Sequence, residues 1–456
     1  MTTVALLSGV LSLTSWRASH ADTVPPAIDL PKFLGLEDAL RIWRAHGLDV
    51  LIADAAVKTS EGAVTIAGAI QNPVMSASVL NAFTYQWTKA SDADCNKNGA
   101  VCTPWGYTFG ITDSAAIEDS LSGKRDLRLK VARNALAAAK MSRIDATRTV
   151  GFQVKSTYLQ VAQAQLAYRF AKDVALTQAT TLKKFQDRYK VGAISEGDLQ
   201  RIEVARLEAD QAVDSAEATL RQSRAALAFL LGVRGNVPEF DVDTNVLDYS
   251  VPPGVRGATP INLFQIAFER RPDLLSSAYS RASAEAQLQL VRRQKFPDVT
   301  LGLNYQWGGN AGWSVDNAIV TPALTFSLSA PIPFFYQLQG EERQAQAQRE
   351  TAALQQAKGT AQVASDVATG LAALDGSKKL VERMEGPRRP GGGLLESAKG
   401  AFDIAAAQYD KGVASLTDYL DALRTYIATR NEYFGDLATY WTSVYQLEAA
   451  VATELR

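Results

Sequence analysis

The sequence predicts a mainly α-helical protein with a β-strand portion, built from two copies of one structural plan. The first observation is a repeat: RYKVGAISEGDLQ (188–200) returns as QYDKGVASLTDYL (408–420), an offset of 220 positions. The second is a proline-free stretch, 124–190, whose Ala, Leu, Lys, Arg and Gln content favours a helix of about 100 Å. The third is the alternation of aromatic residues ahead of the helical stretches, which is typical of strands.

The overall composition excludes some classes of function. The formal net charge is −1 and hydrophobic residues make up 47% of the 456 positions, so no basic field points to nucleic acid. After about the first 20 residues, no apolar run reaches the roughly 18 residues of a membrane-spanning helix. Transmembrane β-strands are not excluded, because they alternate apolar and polar residues and score weakly on hydropathy.

The N-terminal segment has features of an export signal. VALLSGVLSL (4–13) is apolar, and Ser19 and Ala21 are small residues at the −3 and −1 positions of a cleavage site, so we expect a signal peptide at 1–21. A basic segment is missing, and an ordinary apolar first helix is the alternative. In an exported protein, Cys95 and Cys102 are expected to form a disulfide across a polar loop rather than to stay as two free thiols.

Segments of the first half of the chain return in the second half in the same order. HGLDVLIADA (46–55) resembles RRPDLLSSAY (270–279), and NPVMSASV (72–79) resembles FPDVTLGL (296–303). We therefore predict a first repeat at 34–231, a linker at 232–260 and a second repeat at 261–452. Each repeat has short helices, a β-hairpin and two long helices, at about 73–112, 124–190 and 195–231 in the first and about 297–330, 341–410 and 415–452 in the second.

Alternating aromatic residues mark the predicted hairpins. They are Phe83, Tyr85 and Trp87, then Trp105, Tyr107 and Phe109, while VTLGLNYQW (299–307) and VTPALTFSLSA (320–330) are their counterparts. Such strands suit a transmembrane hairpin with aromatic residues at the membrane interface. A half-buried hairpin of a soluble protein is the alternative.

The long helices carry heptad patterns. Residues spaced by seven, such as the stripe Tyr419, Tyr426, Tyr433 and Tyr440, favour coiled-coil packing, and we interpret the tyrosines as packing residues rather than a ligand site. In the second repeat, EGPRRPGGG (385–393) is expected to break or kink the helix, because proline removes a donor and clashes with the preceding turn.

The repeated turn combines residues that end one helix and begin the next. Glycine accepts the left-handed conformation of a helix C-cap, serine caps the N-terminus of the following helix, and an acidic residue three positions later completes a capping box. The pattern predicts a tight reversal of the chain, formed by Tyr189, Gly192, Ser195 and Asp198 and by Tyr409, Gly412, Ser415 and Asp418.

The double pattern Tyr-x-x-Gly-x-x-Ser-x-x-Asp, the strand starts NPV and FPDV and the RRPDL segment resemble the TolC-like outer-membrane efflux proteins over about residues 34–452. The resemblance implies a homotrimer in which each protomer gives four strands to a shared 12-stranded transmembrane β-barrel in the outer-membrane lipid. Long helices then form a periplasmic α-barrel that the helix turns narrow at its inner end. A periplasmic adaptor protein and an inner-membrane pump are the implied partners.

Particular turn residues acquire roles through the same resemblance. Asp198 matches an acidic position at the channel constriction, Tyr409 a contact that holds the channel shut, and Asp418 a further constriction position. Ala414 stands where the best-known member has an arginine, so this chain lacks the side chain that makes that latch. A ring of Asp198 carboxylates would favour cations. A plain helix cap is the alternative for Asp198 and Asp418.

Signatures of catalysis or cofactor binding are lacking in the sequence. The only histidines are His20 and His46, no ligand cluster has metal-binding spacing, and no nucleotide-binding or hydrolase motif stands in a supporting context. We therefore expect no enzyme activity, no cofactor and no bound metal. The favoured function is the outer-membrane exit duct of a tripartite efflux or type I secretion system, with metal cations slightly favoured over drugs or proteins as cargo. The alternative is a soluble periplasmic coiled-coil adaptor or scaffold without a pore.

Overall fold

The computed structural model describes residues 28–81, 105–113, 116–256, 259–308, 322–386 and 392–455. Several predictions lie outside these residues. They are the signal peptide at 1–21, the disulfide between Cys95 and Cys102, and the strand aromatics Phe83, Tyr85 and Trp87.

The first half of the chain places short helices and two strands before two long helices. Its elements in chain order are β1 (Phe33–Leu34), α1 (Leu36–His46), α2 (Leu48–Gly68), β2 (Val74–Asn81), β3 (Trp105–Thr112), α3 (Ala116–Leu121), α4 (Lys124–Lys190) and α5 (Glu196–Leu230). Helix α4 has 67 residues, which makes it about 100 Å long.

The second half repeats this order after a short connection. Its elements are β4 (Asp241–Val242), a 3₁₀ turn (Thr244–Leu247), α6 (Pro260–Arg270), α7 (Pro272–Gln294), β5 (Thr300–Gly308), β6 (Ala323–Ser329), α8 (Gln339–Glu385), α9 (Leu394–Asp410) and α10 (Leu416–Val451). Helices α8 and α9 flank 387–391, within the segment where the sequence predicts a break. Gly386 has a φ of 70° and closes α8 by donating to the Glu382 carbonyl at 2.9 Å.

Four strands form one antiparallel sheet in the order β2-β3-β5-β6. The central pair, β3 and β5, joins the two halves of the chain, with Phe109 opposite Tyr305 and Ile111 opposite Leu303. No helix within the described ranges is both long and apolar enough to cross a membrane.

The main core surrounds the middle of α4. Tyr158 is fully buried there; its hydroxyl donates to the Leu34 carbonyl at 2.8 Å and accepts from the Asp243 N–H at 3.0 Å. The Gln165 amide donates to the Val242 carbonyl at 3.2 Å and accepts from the Val242 N–H at 2.9 Å. These bonds satisfy buried backbone groups and fasten the small parallel pair of β1 and β4 to α4.

A buried arginine ties the second repeat together. Arg271 donates to both oxygens of Asp273 and to Asp366 at 2.7 Å, and it also reaches the Ala450 carbonyl at 3.4 Å. Burial opposes ionisation of the Asp273 carboxyl, but the hydrogen bonds from Arg271 outweigh it and lower its pKa. The RRPDL segment therefore links α7 to α8 and α10.

The tyrosine stripe of α10 packs against neighbouring helices. Tyr419 and Tyr440 are buried, and Tyr426 stacks on Phe402 with ring centroids 5.7 Å apart. The Tyr433 hydroxyl donates to Glu385 at 2.8 Å. The stripe thus contributes to the helix packing that the heptad pattern predicts.

Candidate functional site

One face of the four-stranded sheet is apolar along every strand. The register places Met75, Ile111, Leu303 and Phe326 in one row, and Ala77, Phe109, Tyr305 and Leu324 in the next. The described residues leave this face open, with Met75 84%, Phe109 59% and Phe326 79% exposed. A half-buried hairpin of a soluble protein would place such a face on a core.

The middle of the opposite face of the same sheet is polar. Its two central rows are Ser76, Gly110, Asn304 and Thr325, then Ser78, Thr108, Gln306 and Ala323. At Gly110 a Cβ atom would lie 2.2 Å from the Asn304 Oδ1 and 2.6 Å from the Ser76 Oγ, so a larger residue would require these polar side chains to move. The sheet therefore separates an apolar surface from a polar one.

Aromatic residues lie at both ends of the sheet. Tyr107 and Trp307 stack at one end, with ring centroids 5.8 Å apart. Phe334 and Phe335 follow β6 at the other end, where they are 79% and 96% exposed. An apolar band between two aromatic borders is typical of strands that cross a lipid bilayer.

The first copy of the repeated turn ends α4 and begins α5. Gly192 has a φ of 73° and donates to the Tyr189 carbonyl at 2.9 Å, while the Ala193 N–H donates to the Arg188 carbonyl at 2.9 Å. These two bonds form a Schellman motif, which requires a left-handed residue. Ser195 then caps α5 by accepting from the Asp198 N–H at 3.1 Å.

The second copy of the turn has the same geometry. Gly412 also has a φ of 73° and donates to the Tyr409 carbonyl at 2.9 Å. Ser415 caps α10, and the Asp418 carboxylate accepts from both the hydroxyl and the N–H of Ser415, which completes a capping box. The Ser415 hydroxyl lowers the pKa of the Asp418 carboxyl, together with the backbone N–H.

The fold brings the two turns side by side. The Arg188 guanidinium of the first hairpin lies 3.4 Å from the Asp410 carboxylate of the second. Arg201 reaches the Thr417 hydroxyl at 3.5 Å and lies 3.9 Å from Asp198. Charged groups on one hairpin thus meet polar groups on the other.

An aromatic contact lies behind these polar pairs. Tyr409 stacks on Phe185 with a centroid distance of 5.4 Å and an interplanar angle of 5°. Burial raises the pKa of the Tyr409 phenol, the Arg188 charge opposes this rise, and the Asp198 carboxylate adds to it. The apolar cluster that supports the contact contains Leu182, Phe185, Ile202, Leu416, Tyr419 and Leu420.

The predicted site residues differ in their surroundings. Asp198 and Tyr409 lie near each other, whereas Asp418 faces solvent in the protomer. Tyr189, the counterpart of Tyr409, is 41% exposed, and the counterpart of Phe185 is Ala405. The two turns therefore share a backbone but not their side-chain contacts.

Sequence reasoning missed the pairing between Arg188 and Asp410. Its signal was a difference between the two copies: FQDRYKVG (185–192) has an arginine where AAAQYDKG (405–412) has a glutamine, Gln408. When two repeats lie side by side, a charged residue found in only one copy can pair with a charged residue found only in the other.

The described part of the chain contains no group of three or more His, Cys, Asp or Glu side chains that could hold a metal ion.

Residues 263–453 match the sequence model of the family described as "Outer membrane efflux protein" (OEP). The chain is 24% identical to the pyoverdine export outer membrane protein OpmQ of Pseudomonas aeruginosa, over 94% of this chain and 88% of the relative. It is 23% identical to the cobalt-zinc-cadmium resistance protein CzcC of Cupriavidus metallidurans, over 89% of this chain and 86% of the relative.

The fold also matches solved channel structures. The outer-membrane channel OprN superposes with a TM-score of 0.71 at 16% identity, covering 95% of this chain and 96% of that one. This likeness shows the shared fold over nearly the whole length. The resemblance to the TolC-like outer-membrane efflux proteins is thus confirmed: the chain carries the family's domain in its second half and has the fold of the family's channels.

Proposed function

We propose that the chain is the outer-membrane exit duct of a tripartite efflux or type I secretion system. The observation that carries this proposal is the four-stranded sheet, whose exposed apolar face lies beyond one end of the long helices. A face of this kind suits lipid, while the polar face suits a water-filled interior. A soluble adaptor is not expected to expose an apolar sheet face with aromatic residues at both ends, because soluble proteins rarely leave large apolar patches in water.

The working form is proposed to be a homotrimer. Four strands are too few to close a transmembrane barrel, since even the small outer-membrane barrels have about eight. In the described sheet, β2 and β6 are the edge strands, and unpaired edges do not persist in hydrocarbon. Pairing β2 of one protomer with β6 of the next would close a 12-stranded barrel from three copies.

The long helices are proposed to extend through the periplasm as an α-helical tunnel. A helix of about 100 Å reaches far beyond the thickness of a membrane. Its far end is the pair of helix turns, where a periplasmic adaptor and an inner-membrane pump would engage. The duct itself is a passive conduit rather than an enzyme, and the pump supplies the driving force.

The turns are proposed to narrow the channel at this inner end. Three copies would bring together three Asp198 and three Asp418 carboxylates, which favour cations over anions. Tyr409, held against Phe185, supports the closed arrangement. Ala414 cannot form a latch, and Arg188 with Asp410 is proposed to take over the polar link between the hairpins.

The cargo is proposed to be small, a metal cation or a drug-sized molecule. One relative is named for pyoverdine export and another for cobalt, zinc and cadmium resistance. A duct that conducts passively needs no metal ligands of its own, so cargo choice falls to the partner pump.

Membrane fractionation tests the proposal. The mature chain should sediment with the outer membrane, resist extraction by salt, and elute from a detergent column as a trimer. Cysteine pairs placed across the β2 and β6 edges should cross-link neighbouring protomers. A mature chain that is soluble and monomeric without detergent would refute the proposal and favour the periplasmic adaptor.

A further inference from the structure

A cavity of about 260 Å³ lies between the two hairpins, further along the helices than the repeated turns. Helices α4, α5 and α10 provide its walls. Val174, Ala209, Leu423 and Ile427 make the lining apolar. A cavity of this size can hold a small organic molecule.

The amide of Gln178 is the unusual feature of this cavity. The residue is 1% exposed, lines the cavity, and has no hydrogen-bond partner at either its Nε2 or its Oε1. Burying an unpaired amide costs free energy, because both the donor and the acceptor lose their bonds to water. The 220-residue offset pairs Gln178 with Ala398, which is buried too, so an apolar residue serves the equivalent packing position. The amide is therefore better explained by a partner in the cavity than by packing.

Charged groups lie only at the rim. Glu208 and Arg424 line the cavity, lie 3.2 Å apart across the two hairpins, and keep more than half of their side-chain surface exposed. Inside, the Gln178 amide offers one acceptor and two donors beside apolar walls. An occupant should thus be uncharged and apolar over most of its surface, with one group that both donates and accepts.

We propose that this cavity binds a small uncharged aromatic carboxamide or lactam. Its ring would pack against the apolar lining, and its amide would pair with the Gln178 amide. Because the walls come from both hairpins, the occupant stabilises the association of the two hairpins by mass action. Binding does not depend on channel activity, so this proposal and the proposed function can fail separately.

Benzamide is the probe for this site, titrated into the full chain in detergent and followed by calorimetry. We expect saturable binding at one site per chain, with a dissociation constant on the order of 1 mM for so small a ligand. Gln178→Leu should weaken binding about tenfold, and so should replacing benzamide by N,N-dimethylbenzamide, which lacks the N–H donors. Gln160→Leu, the same change at an exposed position of α4, should leave the affinity unchanged.

A second variant separates the cavity from the amide. Ala209→Leu fills the space while leaving Gln178 in place, and it should abolish binding. Gln178→Leu should unfold at the same temperature as the wild type or higher, since it removes an unpaired buried amide. Absence of saturable binding to the wild type would show that water alone fills the cavity and would overturn the proposal. Equal affinities for the wild type, Gln178→Leu and Ala209→Leu would overturn it as well.

Discussion

At the scale of single residues, the contact between the two helix turns depends on a few side chains that differ between the two copies. Arg188 and Asp410 link the hairpins at 3.4 Å, and Tyr409 stacks on Phe185. Exposed ion pairs contribute only about 0.2–1 kcal/mol each, so the polar link alone is weak. The aromatic stack and the apolar cluster behind it supply the rest of the free energy that holds the two hairpins together. A weak link of this kind is what we expect if the turns act as the proposed gate.

Removing the arginine tests the link between the hairpins. Arg188→Ala should raise the open probability of single channels, because the pair with Asp410 is lost. Lys183→Ala removes a positive charge from an exposed position on the same helix and serves as the control. The exchange of charges in Arg188→Asp with Asp410→Arg should restore the wild-type record. An equal open probability for Arg188→Ala and Lys183→Ala channels would contradict the proposed role of Arg188.

The Asp198 carboxylate is expected to control which ions pass. Asp198→Ala removes three negative charges from the narrow end of a trimer, so single-channel conductance should rise or cation selectivity should fall. Reversal potentials in a salt gradient measure the selectivity. Asp214→Ala, on the exposed surface of α5, is the matched control. An Asp198→Ala channel whose current record is unchanged would show that the residue is only a helix cap.

At the scale of elements, the two hairpins owe their shape to turn glycines that no other residue replaces without strain. Gly192 and Gly412 both have a φ of 73°, and a Cβ at either position would meet no neighbouring atom within 4 Å. The requirement is therefore one of backbone conformation, not of space. The Schellman bonds and serine caps then satisfy the helix ends on both sides of each turn.

Alanine at these glycines should destabilise the tip. Gly192→Ala or Gly412→Ala should cost about 1 kcal/mol each, because an L-residue is strained at positive φ. Gly400→Ala, in the interior of α9 with open space around it, should instead stabilise the chain by up to about 1 kcal/mol. Thermal unfolding in detergent measures all three variants. The same direction of change at Gly400 and Gly412 would refute the conformational explanation.

The sequence predicts the parts of the hairpins that obey local rules. The order of glycine, serine and aspartate at the repeated turn predicts helix caps, and the structure has helix caps at those residues. Pairings between the repeats are beyond such rules, since Arg188 and Asp410 lie 222 positions apart. The burial of Gln178 is equally unpredictable, because a glutamine in a long helix is ordinarily solvated. Local chemistry thus predicts the elements, while contacts across the duplication require the folded chain.

At the scale of the whole molecule, duplication explains how one short plan yields a long duct. The central strands β3 and β5 come from different repeats and pair along their lengths, so the sheet exists only when both copies fold together. The helices behave alike, with the turns of both copies meeting at one tip. The alternation of apolar and polar residues predicts the two faces of the sheet. Their register, and hence the rows of residues that share a face, follows from the pairing between the repeats.

Charge placed on either face of the sheet distinguishes lipid from water. Leu303→Arg puts a cation on the apolar face and should impair membrane insertion, at a cost of about 2–4 kcal/mol if the site lies near the middle of the bilayer. Asn304→Arg, one residue further on the polar face, should insert normally and change only the conductance. The amount of trimer in the outer-membrane fraction measures the difference. Equal insertion of the two variants would contradict the assignment of the faces.

Single-channel recording in a planar bilayer tests whether the chain forms a conducting duct. The detergent-purified trimer should produce discrete, cation-selective current steps, and Asp198→Ala should change their size or selectivity. The absence of current steps from a correctly folded trimer would contradict the proposal that the chain is a duct across the outer membrane.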